Sequence, residues 1–98
     1  MMSKTEAANQ TAQLMQADLT PGELIAELRK ICKRLSLDVR GLRTYFPDMG
    51  SRSSVEVWGC RYGFECQTFE VSDTDKRSMG TLAKCHYMAR IIKAAAGA

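Results

Sequence analysis

The stretch Glu56–Val71, EVWGCRYGFECQTFEV, decides the fold because two alternating runs of side chains meet in it at a glycine. Val55–Tyr62 alternates apolar and polar residues up to Gly63, and Phe64–Val71 alternates again. Two such runs on either side of a glycine turn are typical of a β-hairpin. We therefore expect an antiparallel hairpin with its tip at Arg61-Tyr62-Gly63.

Cys60 and Cys66 lie in the two arms of this hairpin, and the length of the turn sets their relative position. A two-residue turn, Tyr62-Gly63, offsets the two cysteines, whereas a three-residue loop, Tyr62 to Phe64, places them directly opposite, within reach of a disulfide. In both registers Cys60 lies on the strand face of Trp58, and in the second Cys66 joins it. The sequence leaves the register open and favours thiols that fill space beside aromatic rings.

A helix is expected before the hairpin. Thr20-Pro21-Gly22-Glu23 combines a Thr N-cap, Pro at the first helical position and Glu three residues after the cap. Cys32 belongs to the apolar stripe that follows and is expected to be a core thiol. The whole stripe consists of Leu24, Ile25, Leu28, Ile31, Cys32 and Leu35.

A second helix is expected after the hairpin, capped by Ser72 or Asp73. Tyr87 and Ile91 lie four residues apart on the side of this helix that the apolar stripe leaves over. The helical wheel therefore predicts an exposed apolar pair without a core role. The stripe itself contains Leu82, Cys85, Ala89, Ile92 and Ala96, flanked by Met79 and His86.

Residues Leu37 to Phe46, between the first helix and the hairpin, mix β-branched and aromatic side chains with arginine. This composition predicts a strand, although a short second helix fits almost as well. The fold class is then α+β, in the order α-β-β-β-α, with a three-stranded antiparallel sheet and two helices packed on one face. Residues 1–18 are expected to be a flexible or partly helical tail, and residues 19–98 a single α+β domain.

Composition and charge narrow the function. No apolar run approaches the length of a membrane span, and the N-terminus lacks the apolar region of a signal peptide, so a cytoplasmic protein with reduced thiols is expected. The formal net charge is +3 over 98 residues. Residues 21–44 carry six cations against three acids and residues 74–98 five against one, whereas residues 45–73 carry five acids against two arginines. Basic helices and an acidic middle segment follow.

No catalytic or metal-binding pattern stands out. Cys60 and Cys66 are separated by five residues, and Cys85 and His86 are adjacent, so neither pair has the spacing of a zinc knuckle or ribbon. A small zinc-stabilised domain is a remote alternative. The sequence has no paired carboxylates, glycine-rich phosphate loop or Ser-His-Asp order. We expect a protein that is not an enzyme and needs no metal or cofactor.

The order helix, three strands, helix is similar to the layout of the double-stranded RNA-binding domain over roughly residues 20–96. Lys76-Arg77, at the start of the final helix, falls where that family places phosphate-contacting lysines. Gly80 stands where the family's next lysine falls, and PDMGSRSS lacks its Gly-Pro-x-His loop. The resemblance implies a nucleic-acid-binding surface made of Arg29, Lys30, Lys33, Lys76, Arg77 and Lys84.

The leading hypothesis is a protein-binding module that inhibits or modulates a larger assembly by occlusion. In its small size and lack of a catalytic pattern the chain looks like phage-encoded inhibitors of host defence, such as anti-CRISPR proteins. The expected partner is a protein, with a nucleic-acid-handling complex and a homodimer as variants of the same idea. Aromatic and cationic anchors for such a partner are Trp58, Arg61, Tyr62, Lys84, Tyr87 and Ile91.

Overall fold

The computed structural model describes residues 2–37, 39, 41–46, 54–59, 64–71 and 76–97. Three helices and three strands follow one another in the order α1, α2, β1, β2, β3, α3. Their bounds are α1 Lys4–Gln16, α2 Pro21–Arg34, β1 Leu42–Tyr45, β2 Ser54–Gly59, β3 Phe64–Glu70 and α3 Lys76–Gly97.

The three strands form one antiparallel sheet in the order β1-β2-β3. Leu42–Tyr45 is a strand, which decides between the two interpretations of this segment in favour of the sheet. Val55 and Val57 are fully buried on the side of the sheet that helix α3 contacts, whereas Trp58 on the alternate face is exposed. The predicted α+β class, with a three-stranded antiparallel sheet and helices on one face, is confirmed.

Both registers predicted for the hairpin are wrong. Val57 pairs with Gln67, and Gly59 pairs with Phe64, so β3 has one residue more than β2 between these two pairs. The additional residue forms a β-bulge in which Glu65 and Cys66 together oppose Trp58. The physical reason for the error is that turn length alone sets register only in an unbulged ladder. Cys60 and the predicted tip, residues 61–63, lie outside the described residues.

Helix α2 begins as predicted. The Thr20 hydroxyl accepts a hydrogen bond from the Glu23 amide at 3.2 Å and donates one to the Glu23 carboxylate at 2.9 Å. Pro21 occupies the first turn, where its missing N–H costs nothing. The predicted stripe faces the core: Leu24, Leu28, Ile31 and Cys32 are buried, and Ile25 and Leu35 are partly buried.

Helix α3 contacts all three strands on one side and both other helices on the other. Its buried arc is therefore wider than one stripe, and the predicted exposed pair is wrong: Tyr87 is 5% exposed, and Ile91 is partly buried against the core. Gly80 lets the helix approach β1 closely, because a Cβ there would lie 3.1 Å from the Phe46 ring. The predicted caps, Ser72 and Asp73, lie outside the described residues.

Helix α1 covers most of the segment that was expected to be a tail. The Ser3 hydroxyl accepts a hydrogen bond from the Glu6 amide at 3.1 Å and so caps the helix. Ala7 is fully buried and Thr11 nearly so, with the Thr11 hydroxyl donating to the Ala7 carbonyl at 2.8 Å. The partly helical tail thus includes a 13-residue helix packed on α2 and α3. The domain boundary between residues 18 and 19 stays a prediction.

Candidate functional site

The outer sheet face is the side of the sheet turned away from the helices. Its aromatic centre is Tyr45 stacked on Trp58, with ring centroids 5.9 Å apart and an interplanar angle of 26°. Tyr45 is 52% exposed and Trp58 38%, and these are the exposed large hydrophobic side chains of the described chain. The outer sheet face consists of Arg43, Tyr45, Glu56, Trp58, Cys66, Thr68 and Glu70.

Strand register brings these aromatic rings together. Arg43 pairs directly with Trp58, and Tyr45 pairs with Glu56, so the two rings are diagonal neighbours on one face. The Trp58 indole N–H also donates to the Cys66 sulfur across the bulge. The Trp58 ring therefore has Tyr45 as a stacking neighbour and Cys66 as a hydrogen-bond partner, and part of it faces solvent.

The charges on this face are mixed. Arg43 is the cation among the described residues of the outer sheet face, whereas Glu56 and Glu70 are acids. Such a face has no excess of positive charge with which to attract a phosphate backbone.

A second surface, the β3 groove, lies between α1, α3 and the edge of β3. It has a volume of about 590 Å³. Alanine, methionine and phenylalanine side chains give it an apolar floor, and two cations stand at its rim. The lining residues are Ala8, Thr11, Ala12, Met15, Phe69, His86, Ala89, Arg90 and Lys93.

Phe69 is the centre of the polar and aromatic contacts in the β3 groove. The Arg90 guanidinium lies over the Phe69 ring at 5.2 Å and donates to the Gln67 side-chain oxygen at 2.7 Å. The His86 ring stacks on Phe69 at 6.1 Å, and the Tyr87 ring meets it edge-on at 6.3 Å. Burial, and then the charge of Arg90, lower the pKa of His86, so this imidazole is neutral at pH 7.

The buried thiols are poor nucleophiles. Burial raises the pKa of both Cys32 and Cys85 to about 11. The Cys85 thiol donates to the Pro21 carbonyl at 3.6 Å, which ties α3 to the start of α2. Among the described residues, no three His, Cys, Asp or Glu side chains come together as a metal-binding group.

The structure separates the residues that were predicted to bind a partner. Trp58 is on the outer sheet face, Tyr87 is in the core, and Ile91 and Lys84 are half-buried on α3. Arg61 and Tyr62 lie outside the described residues. The sequence analysis did not include Tyr45 among the partner-binding residues. The sequence does contain a signal for it, because residues two apart in a strand, such as Arg43 and Tyr45, lie on the same face.

The cations predicted to bind nucleic acid are mostly exposed, on two helices. Arg29, Lys30 and Lys33 are exposed on α2, where Lys30 pairs with Glu27 at 3.0 Å. Lys76 and Arg77 are exposed in the first turn of α3, and Lys84 is half-buried. The β3 groove has its own cations, Arg90 and Lys93. No sequence signal marked these two, because they come together with the α1 and β3 residues of the groove only through tertiary packing.

Comparisons with protein-family models, with curated proteins and with solved structures found no match to this chain. Within the described residues, no helix has the length and apolar character needed to cross a membrane.

Proposed function

We propose that this chain is a non-enzymatic binding protein that docks its outer sheet face on a larger protein assembly and modulates or blocks it by occlusion. The observation that carries the proposal is the Tyr45–Trp58 stack, exposed at the centre of a sheet face that the helices leave open. Tryptophan, tyrosine and arginine are the residues that most often dominate the binding energy of protein interfaces. Arg43, which pairs with Trp58, completes such a set.

The chemistry of the outer sheet face favours a protein partner. Its aromatic centre supplies apolar area at low entropic cost, since the Trp58 ring already stacks on Tyr45. Arg43, Glu56 and Glu70 around this centre can pair with charges of either sign on a partner. We propose the cytoplasm as the compartment, where Cys66 would stay reduced.

The chemistry of the thiols and the imidazole supports a role without catalysis. A thiol with a pKa of about 11, as at Cys32 and Cys85, is almost entirely protonated at pH 7. Burial, and then the charge of Arg90, lower the pKa of His86, which disfavours the imidazolium that a Cys-His pair requires.

Binding of a double-stranded nucleic acid is the second candidate, favoured by the exposed cations of α2. Arg29 and Lys33 are one helical turn apart, as are Lys30 and Arg34, and all four are exposed. Such a row can follow a phosphate backbone.

Two titrations with matched variants test the choice. The chain is titrated with duplex RNA and duplex DNA at low and near-physiological salt. Micromolar binding with a steep salt slope, lost in an Arg29→Gln/Lys33→Gln variant and kept in Trp58→Ala, would refute the protein-binding proposal.

The proposal itself predicts weak duplex binding and an assembly captured from native host extract by the wild-type chain. Trp58→Ala and Tyr45→Ala should each reduce recovery of that assembly, and Arg29→Gln/Lys33→Gln should not. Equal recovery with Trp58→Ala and wild type would contradict a role for the outer sheet face, provided that circular dichroism shows both proteins folded.

A further inference from the structure

Strand β3 is at the edge of the sheet and borders the β3 groove. Among the described residues it pairs only with β2, so one row of its backbone N–H and C=O groups has no strand partner there. The bulge at Glu65 and Cys66 interrupts the ladder, which leaves Gln67–Glu70 as the part of this edge that pairs with β2 without interruption. This part, QTFE, contains neither of the residues, lysine and proline, that most often protect an edge from pairing.

The surroundings leave room for another strand. No described Cα of α1 lies within 8 Å of a Cα of β3, whereas neighbouring strands are about 4.8 Å apart. The β3 groove fills the interval between them, with Phe69 on the strand side and Ala8 and Ala12 on the helix side.

The positive charges at the β3 groove favour a bound segment that carries acidic side chains. Arg90 and Lys93 are exposed, and the residues lining the groove include no carboxylate. The Arg90 guanidinium is fixed on the Phe69 ring and on Gln67, so its other N–H groups lose little freedom when they meet an anion. The groove thus offers an apolar floor and two cations.

From this edge and this groove we infer a second binding site, distinct from the outer sheet face. An extended segment of a partner protein adds to Gln67–Glu70 as a fourth strand and points alternate side chains into the β3 groove. Because strand side chains alternate, the segment has apolar and acidic residues at every second position, the apolar ones on the alanines and Phe69 and the acidic ones at Arg90 and Lys93.

Peptide display on the intact, full-length chain tests this inference. A library of random nonapeptides is selected against the immobilised protein, and the best peptide is measured by fluorescence anisotropy. Enriched sequences should carry apolar residues and Asp or Glu together at every second position, so that both kinds of side chain lie on the strand face that points into the groove. Hydrogen exchange with the peptide bound should slow the amides of residues 67–70, and N-methylation of alternate peptide amides should abolish binding.

Charge reversal supplies the matched pair of variants. Lys93→Glu should weaken the selected peptide about tenfold, because it places like charges together in the groove. Lys76→Glu, an exposed lysine of the same helix outside the groove, should change binding less than about twofold. If Lys93→Glu fails to fold, Lys93→Gln replaces it and should weaken binding to an intermediate extent. Trp58→Ala, on the outer sheet face, should leave peptide binding unchanged.

Four results would overturn the inference. The first is a selection that enriches basic peptides or no peptides, and the second is equal weakening of peptide binding by Lys76→Glu and Lys93→Glu. The third is peptide binding that survives N-methylation. The fourth is displacement of the peptide by decanoate, with no change in amide hydrogen exchange at residues 67–70. The last result would make the groove a site for a small anionic amphiphile.

Discussion

Tyr87 is a core residue, and its burial gives a direct test of the packing around Phe69. Tyr87→Ala removes a large side chain that is 5% exposed, so we expect the free energy of unfolding to fall by about 3–5 kcal/mol. Tyr45→Ala, at a residue that is 52% exposed, should cost less than about 1 kcal/mol. Urea unfolding monitored by circular dichroism gives both values. Equal costs would show that Tyr87 does not support the core.

Thiol reactivity separates the exposed Cys66 from the buried Cys32 and Cys85. At pH 8 a thiol with a pKa of about 11, as at Cys32 and Cys85, is only about one-thousandth thiolate. Iodoacetamide should therefore modify exposed Cys66 within minutes in the folded protein and leave Cys32 and Cys85 unmodified until urea is added. Mass spectrometry of proteolytic peptides assigns each site. Modification of Cys32 at the rate of Cys66 without urea would contradict the buried environment.

His86 predicts how stability depends on pH. Burial and Arg90 lower its pKa in the folded state below the unfolded value of about 6.5. Between the two values the unfolded chain binds more protons, so the free energy of unfolding falls as pH falls through this range. A His86→Gln variant should lose less stability than wild type between pH 8 and pH 5. Denaturant unfolding at both values measures this difference, and an identical loss would exclude the contribution of His86.

The burial of single residues was predictable where the local sequence pattern alone determines which side of an element faces the core. Cys32 was placed in the core from its position in a narrow apolar stripe, and the structure confirms it at 1% exposure. Tyr87 was placed wrongly because a helical wheel gives the direction of a side chain but not how many elements surround the helix. The contact of Arg90 with Phe69 joins residues 21 positions apart, and no local pattern contains it.

At the scale of elements, the cap of α2 is the clearest agreement between sequence and structure, and it can be tested. Thr20→Ala removes the hydroxyl that accepts from the Glu23 amide at 3.2 Å, so the free energy of unfolding should drop by about 1 kcal/mol. Thr20→Ser keeps an equivalent hydroxyl and should cost much less. Thermal unfolding of the three proteins at one pH is sufficient, and a serine variant as unstable as the alanine variant would reject the capping role.

The strands were predictable in number and pairing but not in register. The alternating runs Val55–Tyr62 and Phe64–Val71 predicted two paired strands, and β2 and β3 lie largely within these runs. The bulge opposite Trp58 shifts the pairing by one residue, and the local sequence at residues 65–67, ECQ, has no feature that predicts a bulge. The register with a three-residue loop placed Cys66 on the strand face of Trp58, and the structure brings these two side chains into contact through the bulge instead.

At the scale of the whole molecule, the open question about α1 is how much this helix contributes to the stability of the fold. It fully buries Ala7 and lines one wall of the β3 groove. A chain starting at residue 19 keeps the sheet, α2 and α3, so we expect it to unfold cooperatively but at a lower temperature, by more than about 5 °C. Calorimetry of both chains measures the change. An unchanged melting temperature would show that α1 contributes nothing, and loss of cooperative unfolding would refute the boundary at residue 19.

The position of α3 has a consequence for synthesis. This helix is the last element in chain order, yet it is the one that covers Val55 and Val57 and that both other helices contact. A nascent chain that has left the ribosome only as far as β3 therefore has two helices that contact each other and a three-stranded sheet that, within the described residues, contacts neither of them. Until residues 76–97 emerge, the apolar residues of the sheet and of both helices stay exposed to water, and chaperones that recognise apolar segments have this interval in which to bind them.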